Sequence, residues 1–245
     1  VPVPEEPVIS IPPEQQGWFH AIRDRQIAHV GHFLRSDLSA RNWDDFYIPR
    51  RLKRLDNGTV AEESVLPTLD RAILIGQPGC GKTTVLRHCA SAEMESKPDS
   101  LVLWVSLADY ANHALGIGLR DFMLEKQIIP LCSDSTSIRE IDDQLRFMDI
   151  NDRLIYYLDD WDSVPNELRT KVAYQIGALK KYRLAGRSGQ FSILGDAVTW
   201  NMVEFSDAEL LDLVDKYAAV SDNSERTKIM VLNLLNREME FRQAA

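Results

Sequence analysis

Runs of consecutive apolar residues alternate along this chain with stretches in which apolar residues recur at helical spacing. Continuous apolar runs are typical of strands buried on both faces, and helical spacing is typical of helices that pack on one side. Their alternation predicts an α/β fold in which helices flank a parallel sheet in three layers. The predicted strands are 72–75, 101–105, 154–158, 182–185 and 202–205, and the predicted helices are 83–92, 119–126, 138–148 and 167–179.

The first part of the chain has a different character. Residues 1–13 contain five prolines, which exclude a helix and predict an extended linker over 1–16. Apolar residues then recur at helical spacing over 17–34, so we expect a helical linker segment within 17–46.

A small helical annex is expected after the sheet. Ser206 and Glu209 have the spacing of a capping box, which predicts a helix over 206–217. Apolar residues on one face predict a last helix over 224–240.

The charge of the chain narrows its expected partners. Its 245 residues include 28 Lys and Arg against 37 Asp and Glu, a net charge of −9. An acidic total argues against dominant binding to nucleic acid or to an anionic membrane. Basic residues concentrate in one run over 50–54, which is more typical of a solvated face than of a ligand site.

The cysteines and the hydropathy point to a cytoplasmic globular protein. Cys80, Cys89 and Cys132 are too few and too scattered for a disulfide scaffold or a zinc site, which predicts a reducing compartment. No apolar run approaches 18 residues and no signal-peptide pattern is present, so no membrane association is expected.

The clearest motif is a glycine-rich loop between the first predicted strand and the helix that follows it. It fits G-x-x-x-x-G-K-[ST], whose glycines let successive backbone N–H groups turn toward phosphate oxygens. The next helix presents its N-terminus to the same anions. The residues expected to bind the nucleotide phosphates are Gly76, Gln77, Pro78, Gly79, Cys80, Gly81, Lys82, Thr83 and Thr84.

Two side chains of this loop have distinct expected roles. The Lys82 ammonium reaches the β- and γ-phosphates, and the Thr83 hydroxyl supplies a ligand to Mg²⁺. The strand before the loop and the helix after it are the context that the motif requires, which argues against a chance match in a glycine-containing loop.

A second motif is acidic. The strongest apolar run, 154–158, ends in Asp159, which we expect to hold the Mg²⁺ shell together with Thr83. Asp160 and Asp162 follow, and one of them is the candidate to orient or deprotonate the attacking water. An apolar run that ends in Asp is common, and it is the phosphate loop that favours this interpretation.

The strand 101–105 lies between the two motifs in sequence. We expect it to lie between them in the sheet as well, which leaves room for a catalytic acid.

A third and weaker feature is Arg187, which follows the predicted strand 182–185. It is either a sensor of the γ-phosphate or a surface arginine, and its spacing favours neither.

Together these residues resemble the NACHT class of signal-transduction NTPases, which are relatives of the AAA+ ATPases. The resemblance covers 47–245. Its motifs are the segment 47–49 ahead of the loop, the phosphate loop in 72–84, the acidic motif in 158–165, the arginine motif in 184–191, and the strand and helix over 203–217.

Two departures from the family pattern concern the acidic motif. Asp160 stands where the family has a small residue, and Ser163 stands where it often has Glu. The resemblance then implies that the role of the family's catalytic carboxylate falls to Asp162 or is weakened. Hydrolysis is therefore expected to be slow, with nucleotide binding and switching intact.

The resemblance also implies a domain organisation. After the linkers 1–16 and 17–46, it divides the chain into a nucleotide-binding domain over 47–205 and the start of a helical domain over 206–245. The effector domain, winged helix and sensor repeats of the family are not in the sequence, so we expect the chain to be the core of a larger regulator.

The function that the resemblance implies is a switch module of a signalling or defence protein, in antiviral or innate immunity. It binds ATP or ADP with Mg²⁺ and hydrolyses ATP slowly, and exchange of ADP for ATP drives opening and self-association. The choice of ATP over GTP rests on the resemblance.

Two other functions are kept as alternatives. One is an AAA+ motor or loader that acts on protein or nucleic acid, although the net charge of −9 weakens the nucleic-acid version. The other is a nucleotide-dependent scaffold that does not hydrolyse, which Ser163 motivates.

Overall fold

The structure is a computed structural model that describes residues 16–35, 47–113, 117–131, 137–187, 191 and 194–220. Within these residues seven strands form one sheet with helices on both faces. The predicted three-layer α/β fold is therefore confirmed. The predicted helix over 224–240, residues 1–15 of the predicted linker over 1–16 and Cys132 lie outside the described residues.

The elements follow one another in a regular alternation after the first hairpin. The strands are β1 (Arg51–Arg54), β2 (Val60–Glu62), β3 (Arg71–Ile75), β4 (Leu101–Ser106), β5 (Leu154–Asp159), β6 (Tyr182–Gly186) and β7 (Val198–Met202). The α-helices are α1 (Gln16–Arg35), α2 (Lys82–Ser96), α3 (Leu107–His113), α4 (Leu119–Met123), α5 (Ile138–Ile150), α6 (Asn166–Gly177) and α7 (Asp207–Val220). A π turn, Leu124–Ile128, continues α4.

The sheet has the order β2-β1-β7-β3-β6-β5-β4. The strands from β7 to β4 are parallel, whereas β1 pairs antiparallel with both β2 and β7. The sheet is therefore mixed, because a hairpin that the sequence pattern did not reveal extends the predicted parallel sheet at one edge.

The strand between the two predicted motifs is β6, and the expectation that 101–105 would lie there is wrong. That segment is β4, at the edge of the sheet beyond β5. Helix α2 crosses beneath β6, β5 and β4, so the chain emerges at the far edge and returns to the centre only with β6. Chain order fixes sheet order in only about two-thirds of connections.

The predicted strand 202–205 is also misplaced, because β7 covers Val198–Met202. Trp200 and Met202 are buried, but polar residues at 199 and 201 interrupt the apolar run. This strand pairs with β3 on one side and with β1 on the other.

Residues 51–54 of the basic run form β1, and only part of the run is a solvated face. Its side chains alternate, so that Arg51 and Lys53 are exposed while Leu52 is fully buried. Arg50 is buried as well, where its guanidinium lies 3.5 Å from the centre of the Phe205 ring and donates a hydrogen bond to the Val203 carbonyl.

Two apolar clusters cover the two faces of the sheet. On one face the strands pack against α3, α4, α5 and α6, and on the other against α2. Successive residues of β4 and β5 alternate between the clusters, as expected for strands that are buried on both sides.

A buried ionic group links α2 to the centre of the sheet. Glu93 of α2 lies 3.5 Å from Arg183 of β6 and 2.6 Å from Lys97, and the Tyr157 hydroxyl donates to it at 2.7 Å. Arg183 also donates to the carbonyl of Asp70. Each buried charge is thus paired, as a low-dielectric interior requires.

Helix α1 lies across the edge formed by β4. The Trp104 N–H donates to the Gln26 side chain, and the Gln127 side chain donates to the Trp104 carbonyl, each at 3.0 Å. The two glutamines are hydrogen-bonded to each other as well. Side chains therefore satisfy the backbone groups of Trp104 where the sheet ends.

The predicted capping box begins α7. The Glu209 carboxylate accepts from the Ser206 N–H at 2.7 Å, and the Glu209 N–H lies 3.4 Å from the Ser206 hydroxyl. Glu209 is also paired with Arg51 of β1, so the cap fastens the helix to the sheet. Among the described helices, none combines the length and the apolar character needed to cross a membrane.

The cap predicts a specific loss of stability in acid. Hydrogen bonds from Ser206 and, less strongly, the charge of Arg51 lower the pKa of Glu209 to about 2. A lowered folded-state pKa adds stability above the ordinary value of 4.5, and this stability is lost as the pH falls toward 2. We expect Glu209→Gln to lower the urea midpoint at pH 7 and to reduce its fall between pH 5 and 3.

The exposed Glu125 of the π turn provides the matched control, Glu125→Gln. If both variants follow the wild-type acid profile, Glu209 does not carry the predicted stability.

Candidate functional site

The glycine-rich loop joins β3 to α2 and curls through two left-handed residues. Gly79 has a φ of 76° and Gly81 a φ of 93°, a region that side chains with a Cβ rarely adopt. Helix α2 begins directly afterwards at Lys82. The backbone thus turns where the motif predicts a turn, and the N-terminus of α2 faces the inside of the loop.

Lys82 points back into this loop. Its ammonium donates to the carbonyl oxygens of Gly76 and Gln77, each at 3.0 Å. These contacts hold the cation among the backbone groups that are expected to bind phosphate.

The outer wall of the loop packs on β7. A Cβ at Gly76 would lie only 2.7 Å from the Cys80 sulfur, and that sulfur is 3.5 Å from the Met202 sulfur. Gly76 is therefore needed for the close approach of the loop to its support. Gly76, Gln77 and Cys80 shape the loop, whereas the remaining predicted loop residues line its open side.

Asp159 ends β5 beside the loop. Its side chain is buried, and desolvation raises its pKa, although a hydrogen bond from the Thr83 hydroxyl and one from the Asp160 N–H act in the opposite direction. Arg87 of α2 contributes a nearby positive charge. The two predicted metal ligands, Thr83 and Asp159, thus lie near each other and line the same cleft.

Asp160 adopts an unusual backbone conformation. Its φ of 61° and ψ of 28° lie in the left-handed region, which costs about 1 kcal/mol for a residue other than glycine. The Ser106 hydroxyl donates to the Asp160 carboxylate at 2.9 Å from the end of β4. This conformation explains why a small residue suits the position.

Asp162 and Arg187 are paired with each other. The Arg187 backbone N–H donates to Oδ1 of Asp162 at 3.0 Å, and Arg187 Nε lies 3.2 Å from Oδ2. Arg187 follows β6 directly, and its side chain is 55% exposed. It is therefore a cleft residue with a defined partner rather than an isolated surface cation.

These side chains meet in one cleft of about 450 Å³ at the carboxyl ends of β3, β5 and β6. Predicted site residues that line it are Pro78, Gly79, Gly81, Lys82, Thr83, Thr84, Asp159, Asp160, Asp162 and Arg187. Ligands commonly bind at this end of an open parallel sheet.

The cleft residues fit a magnesium ion better than a metal held by protein alone. Within the described residues no group of three or more His, Cys, Asp or Glu side chains is placed to hold a metal. Mg²⁺ is usually held by one or two protein oxygens together with phosphate and water, which matches the Thr83 hydroxyl and the Asp159 carboxylate.

Sequence reasoning missed three residues beside the carboxylates. Ser106 holds Asp160, Arg87 provides charge near Asp159, and Trp161 forms part of the cleft wall. The strand end at Ser106 was a usable signal, because the carboxyl ends of parallel strands share one edge. The position of Arg87, one turn after Lys82 and Thr83 on α2, was another.

Fold and loop together define the class of this chain as a three-layer α/β protein of the P-loop type. No protein-family model matches the sequence, and no curated protein gives a significant match. The comparisons therefore assign no family.

Several solved structures resemble the chain at low similarity. A DNA replication initiation factor has 14% identity and a TM-score of 0.43, over 74% of this chain and 56% of that one. Caenorhabditis elegans PCH-2 has 15% identity and a TM-score of 0.37, over 64% and 44%. Saccharomyces cerevisiae RIF2 has 12% identity and a TM-score of 0.39, over 90% and 78%.

The chain thus spans about half the length of the first two of these structures. At such TM-scores and identities the similarity carries no conclusion about activity.

The first test of the loop concerns Lys82. We expect Lys82→Ala to weaken binding of a nucleoside triphosphate by about 10- to 100-fold, because the phosphates lose a charge-assisted contact. Isothermal titration calorimetry measures the change. Lys180→Ala is the matched control, since Lys180 lies at the opposite end of the sheet. Equal affinities for the wild type and Lys82→Ala would refute the assignment of the loop.

The second test concerns Asp159. Asp159→Asn keeps the size of the side chain but removes the charge that would face Mg²⁺, so we expect nucleotide affinity to lose most of its dependence on Mg²⁺. Titrations with Mg²⁺ and with EDTA measure this dependence, and the exposed Asp143→Asn provides a control. An unchanged Mg²⁺ dependence would exclude Asp159 as a ligand.

Proposed function

We propose that this chain is a P-loop NTPase module that binds a nucleoside triphosphate with Mg²⁺ in the cleft and hydrolyses it slowly. The proximity of Thr83 and Asp159, which line the same cleft beside the glycine-rich loop, carries the proposal. A hydroxyl at the start of the helix and an acid at the end of a separate strand are the groups with which P-loop enzymes hold the ion.

Each part of the cleft has a chemical task in this proposal. The N–H groups of the loop and the N-terminus of α2 bind phosphate oxygens, and Lys82 exchanges its two carbonyl partners for the β- and γ-phosphates. Thr83 and Asp159 hold Mg²⁺, which neutralises charge on the transferred phosphoryl group.

The contacts of the two remaining carboxylates support Asp160 as the residue that orients or deprotonates water. Asp160 accepts one hydrogen bond, from Ser106, and lines the cleft. Asp162 uses both carboxylate oxygens for Arg187. The Asp162 oxygens therefore have less capacity left to accept a hydrogen bond from a water than the Asp160 oxygens have.

Slow turnover follows from the same contacts. Ser106 at the neighbouring strand end holds Oδ2 of Asp160, so the carboxylate meets a water through Oδ1 and cannot turn freely toward it. Its short side chain and left-handed backbone limit where the carboxylate can go.

We propose further that the module is an ATP/ADP switch of a larger signalling or defence protein, which self-associates in the ATP form. The resemblance of the motifs supports this finer function. The attachment of α7 supports it too, since polar contacts such as Arg51 with Glu209 and Lys216 with the Tyr47 carbonyl can rearrange at modest cost.

A third prediction separates the two candidate bases. We expect Asp160→Asn to reduce the single-turnover hydrolysis rate by about 100-fold or more while ATP affinity is kept. At saturating ATP, Asp162→Asn should retain most of the rate. Phosphate release from stoichiometric protein and ATP measures both. The opposite ranking would make Asp162 the base, and no release by the wild type would favour the non-hydrolysing scaffold.

The identity of the nucleotide requires a direct measurement. Mass spectrometry of nucleotide extracted from the purified protein distinguishes adenine from guanine and shows whether ADP is retained, as the switch hypothesis expects. Retention of guanine nucleotides would overturn the ATP assignment. A steeply salt-dependent affinity for DNA would instead favour a nucleic-acid motor.

A further inference from the structure

We infer that Asp162 is a positioning residue for Arg187, and that this pair lets the cleft distinguish a nucleoside triphosphate from a diphosphate. The inference deepens the proposed function and rests on it. It assigns to Asp162 a task in nucleotide discrimination instead of proton transfer.

Asp162 contacts Arg187 through both carboxylate oxygens, one toward the backbone and one toward the side chain. Asp162 Oδ1 accepts from the Arg187 backbone N–H, and Oδ2 faces Nε of the guanidinium. One carboxylate thereby fixes both the start of the loop after β6 and the inner nitrogen of its side chain. Among the described residues, no hydrogen-bond partner is found for the two terminal nitrogens of Arg187, and these form the fork that matches a phosphate.

Asp162 is itself held in place. It lies in a short 3₁₀ turn, Trp161–Ser163, that follows β5. Arg169 of α6 donates to the backbone carbonyls of Asp162 and Val164, at 3.2 and 3.0 Å. The Asp162 side chain is only 25% exposed. The backbone that carries the Asp162 carboxylate is therefore held in place by Arg169, as a positioning residue requires.

The chain before Arg187 is fixed by close packing. A Cβ at Gly186 would lie 3.1 Å from the Trp161 ring and would clash with the Phe191 ring, so the end of β6 is tightly packed. Gly186 pairs in register with Ile75, the last residue before the phosphate loop. Arg187 thus leaves the sheet beside the start of that loop.

This placement explains discrimination by charge. Arg187 and Lys82 line the same cleft, and Asp162 balances the charge of Arg187. A γ-phosphate adds negative charge and three acceptors, which can engage the terminal nitrogens while Nε stays on Asp162. A diphosphate lacks these acceptors, so it gains less from Arg187 than a triphosphate does.

The two possible tasks of Asp162 predict different results. A base acts on the rate of hydrolysis and leaves the ratio of triphosphate to diphosphate affinity unchanged. A positioning residue changes this ratio and acts through Arg187, so its loss has little further effect once Arg187 has been removed.

The fourth prediction is a double-mutant cycle on this pair. Calorimetry with Mg²⁺ gives the affinities of ADP and of a non-hydrolysable ATP analogue for the wild type, Asp162→Ala, Arg187→Ala and the double variant. We expect Arg187→Ala to lower analogue affinity by about tenfold, because a charge-assisted hydrogen bond is lost, while ADP affinity stays within about twofold. Asp162→Ala should lower analogue affinity in the same direction, and the double variant should resemble Arg187→Ala.

Asp162→Asn tests the geometry of the pair in a conservative way. Its amide can still accept from the Arg187 N–H but offers an N–H to the Nε donor, so it should reduce discrimination too. Asp196→Ala is the matched control, because Asp196 pairs with Arg71 at the far end of the sheet.

The outcomes separate this inference from the proposed function. Unchanged discrimination in Asp162→Ala, or additive losses in the double variant, would overturn the inference while wild-type binding upholds the nucleotide site. Failure of the wild type to bind either nucleotide would overturn both. Retained ADP binding in each variant confirms that it is folded.

Discussion

The site depends on the parallel pairing of three strands. Because β6 pairs in parallel with both β3 and β5, the loop after β3, the acid that ends β5 and the arginine after β6 reach the same edge. Their side chains are chemically different, and their separation in sequence is large. A regular ladder of backbone hydrogen bonds holds the three strands together, so the sheet fixes the relative positions of the residues that form the cleft.

Helix α2 connects this edge to the interior. Its first turn supplies Lys82 and Thr83, and its last turns carry Glu93 into a buried ionic group with Arg183. A buried pair of this kind adds little net stability, but loss of one partner leaves an uncompensated charge and is strongly destabilising. The group therefore fixes how α2 sits on β6, and with it the spacing between the phosphate loop and the strand that precedes Arg187.

The parts of this fold that the sequence predicts are those encoded by local pattern. Apolar runs located β3, β4 and β5, a weaker run interrupted by Arg183 located β6, and the loop motif located the turn at Gly79 and Gly81. The strand β7 was misplaced because polar residues break its pattern. Sheet order and the pairing of Asp162 with Arg187 depend on contacts between distant segments, which local pattern does not encode. The structure brings the predicted candidates for catalysis into one cleft, but their contacts with one another could not be predicted from local pattern.

The glutamine pair on Trp104 has a consequence for assembly. A sheet edge ordinarily offers free backbone groups to a strand from another molecule, which is a route to aggregation. Here the amides of Gln26 and Gln127 already occupy the outward donor and acceptor of Trp104, so an incoming strand gains no hydrogen bond there unless it displaces both. Helix α1 and the π turn thereby cover the middle of the β4 edge, which makes pairing with a strand from another molecule less favourable there.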